Sequence, residues 1–185
     1  FTIRRGFMGS ALVERSMGIE KIAVLGAGQM GNGIAQVAAC AGYDVTMIDI
    51  KQEYVDKGLA AIENSLSRVV KKERMTAEEA ANALARVKIA TDKSAAADAD
   101  LVVEAIPEIP DLKFSTFAEL DQICKPEAIL ASNTSSISIN AIAAATSRPD
   151  RVIGMHFMNP VPVMKLVEII NGSDTSEGVT AAVVA

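Results

Sequence analysis

The chain has 185 residues, of which 50% are hydrophobic and 22% charged, and its formal net charge at pH 7 is −5. This length suits one α/β domain with a complete core, and the apolar content excludes a disordered chain. Apolar stretches end before the ~18 residues of a membrane span, and an acidic chain suits phosphate backbones poorly, so we expect no membrane and no nucleic-acid partner.

The first eighteen residues follow no periodic pattern. They carry Arg4, Arg5 and Arg15 among serines and glycines, and their apolar pieces are too short for the core of a signal peptide. An expression remnant, an upstream read-through or part of an organellar transit sequence would each fit, and we favour the first two. Residues 1–18 are therefore treated as an extension and residues 19–185 as the folded domain.

A βαβ unit follows directly. Residues 21–25 (KIAVL) form an apolar, β-branched run that ends in glycine, residues 30–41 have helical spacing, and residues 44–49 (DVTMID) form a second apolar run. A strand, a glycine-rich turn, a helix and a strand in about thirty residues are typical of one parallel βαβ unit.

Two helices are predicted next, and together they would form a helical hairpin. In residues 52–74, apolar side chains recur at spacings of four and three, as on one helical face. Thr76, with Glu79 three residues later, is the pattern of a capping box, which predicts a second helix through residue 87.

The remaining segments alternate in the same way. Strands are predicted at 88–91, 101–105, 128–132 and 151–156, with helices at 111–124 and 139–145. Nearly continuous apolar strands between helices indicate an α/β fold with a doubly wound, mainly parallel sheet, into which the helical hairpin is inserted.

The end of the chain differs from this alternation. Residues 164–170 are predicted as a strand, and Thr175 or Ser176 as the cap of a helix that has barely begun at Ala185. We expect this domain to be the first part of a longer protein, with an apolar patch left open near 164–170 and 179–185.

The glycines after the first strand predict a dinucleotide site. Gly26, Gly28 and Gly31 form G-x-G-x-x-G between a strand and a helix: the first permits a tight turn, the second lets a pyrophosphate approach, and the third allows close packing. Asp49, at the end of the second strand, is placed to accept a hydrogen bond from the ribose 2′-hydroxyl, and would repel a 2′-phosphate. The pattern indicates a Rossmann-type domain that prefers NAD to NADP.

A candidate acid–base pair lies near the end of the sheet. His156, the single histidine, precedes a reversal at residues 159–162 (NPVP), and a turn centred on Pro162 would place Glu168 opposite it on the next strand. The serines of SNTSS (132–136) read by themselves as a helix-capping turn. A Ser-His-acid hydrolase is conceivable, but the nucleophile elbow G-x-S-x-G is absent.

Metal chemistry has little support in the sequence. Cys40 and Cys124 lie far apart and only one histidine is present, so no cluster of zinc ligands can be assembled. We expect both cysteines to be small buried apolar side chains in a reducing compartment, the cytoplasm or alternatively the mitochondrial matrix.

Four segments together resemble a known family. The segments GAGQMGNGIAQVAA, VVEAIPE, ILASNTSS and VIGMHFMNPVPVMKLVE are similar to the L-3-hydroxyacyl-CoA dehydrogenases, especially the bacterial 3-hydroxybutyryl-CoA dehydrogenases. The resemblance implies that His156 is the general base, that Glu168 orients it, and that Ser135 bonds the 3-oxygen of the substrate. The NAD contacts that it implies are Gly26, Gly28, Gln29, Met30, Gly31, Asp49, Glu108, Lys113, Ser135 and Asn159.

The resemblance also implies a substrate and a partner. Ser65 and Lys72 match positions that contact the coenzyme A portion of an acyl-CoA. The expected reaction is NAD-dependent oxidation of a short-chain (3S)-3-hydroxyacyl-CoA to the 3-oxoacyl-CoA, or its reverse. The alternatives are an isolated NAD-binding module without efficient turnover and a related dehydrogenase of another small hydroxy acid. Members of the family have a second, all-helical domain, to which nothing here corresponds, and it would make the enzyme a homodimer.

Overall fold

The computed structural model describes residues 18–185, so the prediction for residues 1–18 lies almost wholly outside the described residues. Within that range the strands are β1 (Lys21–Leu25), β2 (Asp44–Ile48), β3 (Val87–Ala90), β4 (Leu101–Glu104), β5 (Ile129–Ser132), β6 (Val152–Phe157) and β7 (Val167–Asn171). The α-helices are α1 (Gln29–Cys40), α2 (Gln52–Lys71), α3 (Ala77–Ala85), α4 (Pro110–Ile123), α5 (Ile139–Ala143) and α6 (Glu177–Val184).

The strands form one seven-stranded sheet in the order β3-β2-β1-β4-β5-β6-β7. All neighbours are parallel except β6 and β7, which are antiparallel. From β1 the chain winds first toward β3 and then, from β4, toward β7. The predicted doubly wound α/β fold is confirmed, and the change of direction between β1 and β4 marks the point where such sheets bind ligands.

Both faces of the sheet are covered, and this explains the nearly continuous apolar strands. Val24 and Met47 point into a cluster with α1, α2 and α3, whereas Leu25 and Leu130 point into a second cluster that contains Phe117 of α4. A parallel strand buried on both sides gains from an apolar side chain at every position, so alternation is lost.

The helical hairpin is confirmed, with corrected ends. The Thr76 hydroxyl accepts a hydrogen bond from the Glu79 N–H at 3.1 Å, and the Glu79 carboxylate accepts one from the Thr76 N–H at 2.8 Å, which is the predicted capping box. The helix stops at Ala85 rather than at residue 87, because Val87 pairs with Val45 of β2 and begins β3. Pairing of β3 with β2 therefore ends the helix earlier than its apolar pattern predicts.

The segment between β6 and β7 also departs from the prediction. The strand expected at 164–170 begins at Val167, since the Val163 and Met164 N–H groups both donate to the Pro160 carbonyl at 2.9 Å and close a turn instead. Val161 is buried against α1, where a Cβ on Gly33 would come within 2.8 Å of the Val161 Cβ. Packing on α1 therefore fixes this turn over the sheet.

The last helix is capped by Ser176, whose hydroxyl accepts from the Val179 N–H at 3.3 Å. Thr175 instead bonds Gly172 and Val152. The expected apolar patch is found in part, because Val179 is buried at 4% exposure. The exposed apolar side chains in this region are Val163, Met164, Leu166, Ile170 and Val184, which are 37–71% exposed.

No helix of residues 18–185 is long and apolar enough to cross a membrane. In the same part of the chain, no three His, Cys, Asp or Glu side chains are grouped as metal ligands would be. Cys40 and Cys124 are free thiols. Cys124 is buried as predicted, but Cys40, the last residue of α1, is exposed, so the prediction of burial is wrong there.

Candidate active site

A cleft of about 340 Å³ opens at the carboxyl ends of β4, β5 and β6, next to the glycine turn. It lies on the side of the glycine turn away from Asp49, so the two halves of a dinucleotide would lie on either side of that turn. The lining residues are Met30, Ala105, Ile106, Glu108, Asn133, Ser135, His156, Phe157, Met158 and Asn159.

The glycine turn joins β1 to α1 through close backbone contacts. Gly26 has φ of +96°, and a Cβ there would lie 2.6 Å from the Ala105 carbonyl oxygen. A Cβ on Gly31 would lie 1.7 Å from the Gly26 carbonyl oxygen, so only glycine lets the helix approach the strand. Gly28 differs, because a Cβ there would meet nothing within 4 Å and would project into open space.

The N-terminus of α1 fits the pyrophosphate of NAD. Gly28 occupies the N-cap position, where no side chain caps the helix, and the first turn contains no acidic residue. The N–H groups of that turn are therefore left for an anion, which the helix dipole also favours.

Asp49 closes the other side of the turn. Its Oδ2 accepts from the Ala27 N–H and its Oδ1 from the Ile50 N–H, each at 2.7 Å. The carboxylate is thus held beside the glycines at the end of β2, where a ribose hydroxyl can still donate to a remaining lone pair. These residues fit the adenosine half of NAD.

His156 and Glu168 form the predicted pair. They lie opposite each other in the antiparallel ladder of β6 and β7, and His156 Nδ1 is 2.8 Å from Glu168 Oε2. The side chains are 24% and 49% exposed. Because the carboxylate accepts from Nδ1–H, Nε2 carries the free lone pair and can take a proton from a ligand in the cleft.

Glu108 holds the loop that carries Ser135. Its Oε1 accepts from the N–H groups of Ser135 and Ser136, at 3.1 and 3.2 Å, and from the Thr134 hydroxyl. Partial burial tends to raise the pKa of Glu108, but the Thr134 hydroxyl and the Lys113 ammonium outweigh it and lower that pKa to about 2. The carboxylate is therefore charged at neutral pH.

Comparison with known proteins identifies this arrangement. A family model described as "3-hydroxyacyl-CoA dehydrogenase, NAD binding domain" matches residues 21–185. The chain belongs to the 3-hydroxyacyl-CoA dehydrogenase family. It is 54% identical, over 85% of its length, to a probable 3-hydroxybutyryl-CoA dehydrogenase of Deinococcus radiodurans, and 51% identical over 86% to a 3-hydroxybutyryl-CoA dehydrogenase of Bradyrhizobium diazoefficiens.

A solved structure of a member of this family has the same fold as the chain. The crystal structure of (S)-3-hydroxybutyryl-CoA dehydrogenase PaaH1 from Ralstonia eutropha has a TM-score of 0.88 and 50% identity, covering 90% of this chain and 59% of that one. The match covers 56% of the Deinococcus protein and 54% of the Bradyrhizobium protein, so the chain spans about half the length of these relatives.

The NAD-binding domain brings together most of the residues predicted as its site. Met30, Glu108, Ser135, His156 and Asn159 all line the cleft. Gln29 lies at its rim, where its side-chain amide donates to the Asn159 amide oxygen at 3.2 Å and links the glycine turn to the β6–β7 turn.

Three of the predicted site residues do not line the cleft of the NAD-binding domain. Lys113 is buried, with 1% of its side chain exposed, and pairs with Glu104 and Glu108. Ser65 is half-buried on α2 and Lys72 is exposed just after that helix, and neither lines the cleft. The roles of these three residues as ligand contacts stay predictions, as do the roles of the predicted residues that line the cleft.

Three polar residues at or beneath the cleft were not among the predicted site residues. Asn133 lines the cleft, and its amide oxygen accepts from the Phe157 N–H at 2.8 Å, which ties β5 to β6. Glu104 and Ser132 are fully buried at the ends of β4 and β5. A charged residue that closes an apolar strand, as Glu104 does in LVVE, was the available signal.

Proposed function

We propose that residues 19–185 form the NAD-binding domain of an enzyme that oxidises (3S)-3-hydroxyacyl-CoA to 3-oxoacyl-CoA and catalyses the reverse reduction. The observation that carries this proposal is the hydrogen bond of 2.8 Å between His156 and Glu168, at a cleft that Ser135 also lines. A base, a carboxylate that orients it and a hydroxyl donor are the groups needed to move the proton of a secondary alcohol.

Each side chain then has a defined task. In the oxidation, His156 Nε2 takes the proton of the 3-hydroxyl, and the Glu168 carboxylate stabilises the imidazolium that results. The Ser135 hydroxyl donates a hydrogen bond to the 3-oxygen and holds it toward His156. The chemistry that NAD supplies when bound is acceptance of a hydride from C3, or its donation in the reverse direction.

The substrate is proposed to be a short-chain acyl-CoA, in particular 3-hydroxybutyryl-CoA. The support is the identity of 54% to the probable 3-hydroxybutyryl-CoA dehydrogenase of Deinococcus radiodurans and of 51% to the 3-hydroxybutyryl-CoA dehydrogenase of Bradyrhizobium diazoefficiens. Ser65 and Lys72 are proposed as contacts of the coenzyme A portion, because Lys72 offers an exposed ammonium to its phosphates.

The test is a steady-state assay with the full-length protein. NADH-dependent reduction of acetoacetyl-CoA is compared with oxidation of a panel of small hydroxy acids that lack coenzyme A. We expect the thioester to be preferred by a large factor in kcat/KM. Comparable rates with a free hydroxy acid would favour the related dehydrogenase of another substrate, and would overturn the proposal.

Two finer points belong to the same proposal. We propose that the full-length enzyme is a homodimer, which light scattering after gel filtration can test. We also propose a cytoplasmic location, supported by the free thiols of Cys40 and Cys124. Recovery of the protein in the mitochondrial matrix on cell fractionation would contradict it.

A further inference from the structure

A buried ion pair lies beneath the cleft. Glu104, at the end of β4, has no exposed side-chain surface and Lys113 of α4 has 1%, and the Lys113 ammonium is 2.6 Å from Glu104 Oε1. The same ammonium is 3.2 Å from Glu108 Oε2. Lys113 is therefore shared between a carboxylate under the cleft and one that lines it.

Glu104 also joins two loops, which we call the cleft loops: residues 105–108 after β4 and residues 133–136 after β5. Its Oε1 accepts from the Ile106 N–H at 2.8 Å, and its Oε2 accepts from the Ser132 hydroxyl at 2.6 Å. The Ser132 oxygen accepts in turn from the Thr134 N–H at 3.2 Å. One carboxylate thus anchors both loops from below.

Stability alone gives weak reason for such an arrangement. Removing two charges from water costs several kcal/mol per ion, and well-packed apolar side chains often replace a buried pair without loss. Neither Glu104 nor Ser132 lines the cleft, so neither can contact a ligand there. The ion pair with Glu104 instead fixes the position of the Lys113 ammonium. That ammonium in turn holds Glu108, which binds the cleft loop that carries Ser135.

We propose that Glu104 is a positioning residue, which holds Lys113 and Ser132 so that Glu108 and Ser135 are aligned for the nicotinamide half of NAD and for the substrate. The part of this inference that concerns substrate turnover rests on the proposed function. The part that concerns NAD depends only on the NAD-binding domain. Glu104 acts through other side chains and touches neither ligand.

The first experiment compares two ligands by calorimetry. NADH has a nicotinamide half and ADP-ribose lacks the nicotinamide, while both share the adenosine half and the pyrophosphate. For Glu104→Gln, which keeps the shape and removes the charge, we expect the dissociation constant of NADH to rise ~10-fold and that of ADP-ribose to change less than ~2-fold, because only the cleft loops lose alignment.

A matched control variant is available on α4, the helix that carries Lys113. Asp121 of α4 is also a buried carboxylate, 4% exposed, and its Oδ1 is 2.6 Å from Arg148 Nε, but it does not line the cleft. Asp121→Asn should lower the melting temperature and leave the ratio of the NADH and ADP-ribose affinities unchanged. Glu104→Gln that behaves like this control would show a purely structural role and overturn the proposal.

Ser132→Ala is the second variant, and it decides the question if Glu104→Gln does not fold. It removes the hydrogen bond that Ser132 donates to Glu104 and the one that it accepts from the Thr134 N–H, and it leaves every charge in place. We expect a smaller loss of NADH affinity in the same direction, with faster amide hydrogen exchange at Ser135 and Ser136, whose N–H groups Glu108 holds. Unchanged exchange together with unchanged NADH affinity would contradict the proposal.

Turnover gives a separate readout. In the full-length enzyme, Glu104→Gln should lower kcat for acetoacetyl-CoA ~10–100-fold, and combining it with Glu108→Gln should cost little more than Glu108→Gln alone, since both act on one loop. If the two substitutions lowered kcat additively, the proposal that Glu104 acts through Glu108 would be contradicted. If wild-type protein failed to reduce acetoacetyl-CoA, the proposed function would fall while the NADH and ADP-ribose comparison would still stand.

Discussion

At the scale of single residues, one carboxylate serves both the fold and the choice of cofactor. Asp49 binds the Ala27 and Ile50 N–H groups, so its charge is held beside the glycine turn and cannot swing away from a ligand. Ile50 is 74% exposed next to it and offers no cation to a phosphate. The nearby Lys51 ammonium lies over the Tyr54 ring, 5.4 Å from its centroid. A fixed negative charge at the ribose position disfavours a 2′-phosphate.

We therefore predict that the protein binds NADH more than tenfold more tightly than NADPH, a difference of more than ~1.4 kcal/mol. Titration by nicotinamide fluorescence measures both constants. Asp49→Asn, which is nearly isosteric, should reduce the preference by weakening NADH binding and relieving the repulsion of NADPH. Equal affinities in the wild-type protein would show that the ribose position is wrongly assigned.

The acid–base pair gives a second prediction at this scale. In the full-length enzyme, His156→Ala should lower kcat by ~10²–10⁴ and leave NADH affinity little changed, as expected for a positioned base. Glu168→Gln should depress kcat less, since the imidazolium loses the carboxylate that orients and stabilises it. Near-normal turnover by His156→Ala would refute the mechanism.

At the scale of elements, the glycine turn and the cleft loops are built differently. In the turn, backbone meets backbone, and Gly31 leaves no room for a side chain. The cleft loops are instead held by side-chain hydrogen bonds, because the Glu108 carboxylate accepts from N–H and hydroxyl groups of residues 134–136. Added side-chain volume should therefore disturb the glycine turn, whereas removal of a charge should disturb the cleft loops.

The two glycines on either side of the N-terminus of α1 make a matched pair. Gly28→Ala adds a methyl group to open space, so we expect stability to change by ~1 kcal/mol or less while NADH affinity falls ~10-fold or more. Gly31→Ala forces the helix from the strand, so unfolding should become easier by ~1–3 kcal/mol or more. Chemical denaturation and calorimetric titration separate the two, and equal stability losses would contradict this reading.

Glu108 predicts an acid-sensitive contribution to folding. Its pKa is lowered from 4.5 to about 2, so below about 4.5 the unfolded chain takes up a proton that the folded loop resists. The stability from this group is complete above 4.5 and is lost as the pH falls toward 2. Urea unfolding at several pH values should show a steeper acid loss for the wild type than for Glu108→Gln. Parallel curves would mean that the loop does not depend on this charge.

At the scale of the whole molecule, the sheet has one antiparallel edge with exposed apolar side chains beside it. Met164, Leu166 and Ile170 are 37–45% exposed around β7, although a strand of this kind is usually covered. His156 and Glu168 lie on β6 and β7, so the exposure of this edge also affects how much water reaches His156.

The matching prediction compares the 185-residue chain with one extended by roughly 100 residues, the size of a small domain. We expect both to bind NADH in calorimetry, and the short chain to reduce acetoacetyl-CoA poorly because water enters its cleft. The short chain should also self-associate more readily in light scattering. Full activity from a monodisperse short chain would contradict this prediction.

The positions of most elements and of the dinucleotide site could be predicted because they depend on neighbours in the sequence. The spacing of Gly26, Gly28 and Gly31 acts within one turn, and the reversal between β6 and β7 brings His156 opposite Glu168, only 12 residues later in the chain. Local geometry and strand alternation are sufficient to deduce such features.

Other features were decided by residues distant in the sequence. Val87 extends a helical pattern yet pairs with Val45, and Thr175 offers a cap yet bonds Val152, so Ser176 caps the helix. Glu104, Lys113 and Ser132 come from two strands and a helix, and burial of their charges and hydroxyl exists only once β4, β5 and α4 have packed. The sequence by itself determined the fold class and the pairing of His156 with Glu168. Tertiary structure alone decided what supports them, because hydrogen bonds between distant segments leave no periodic signal.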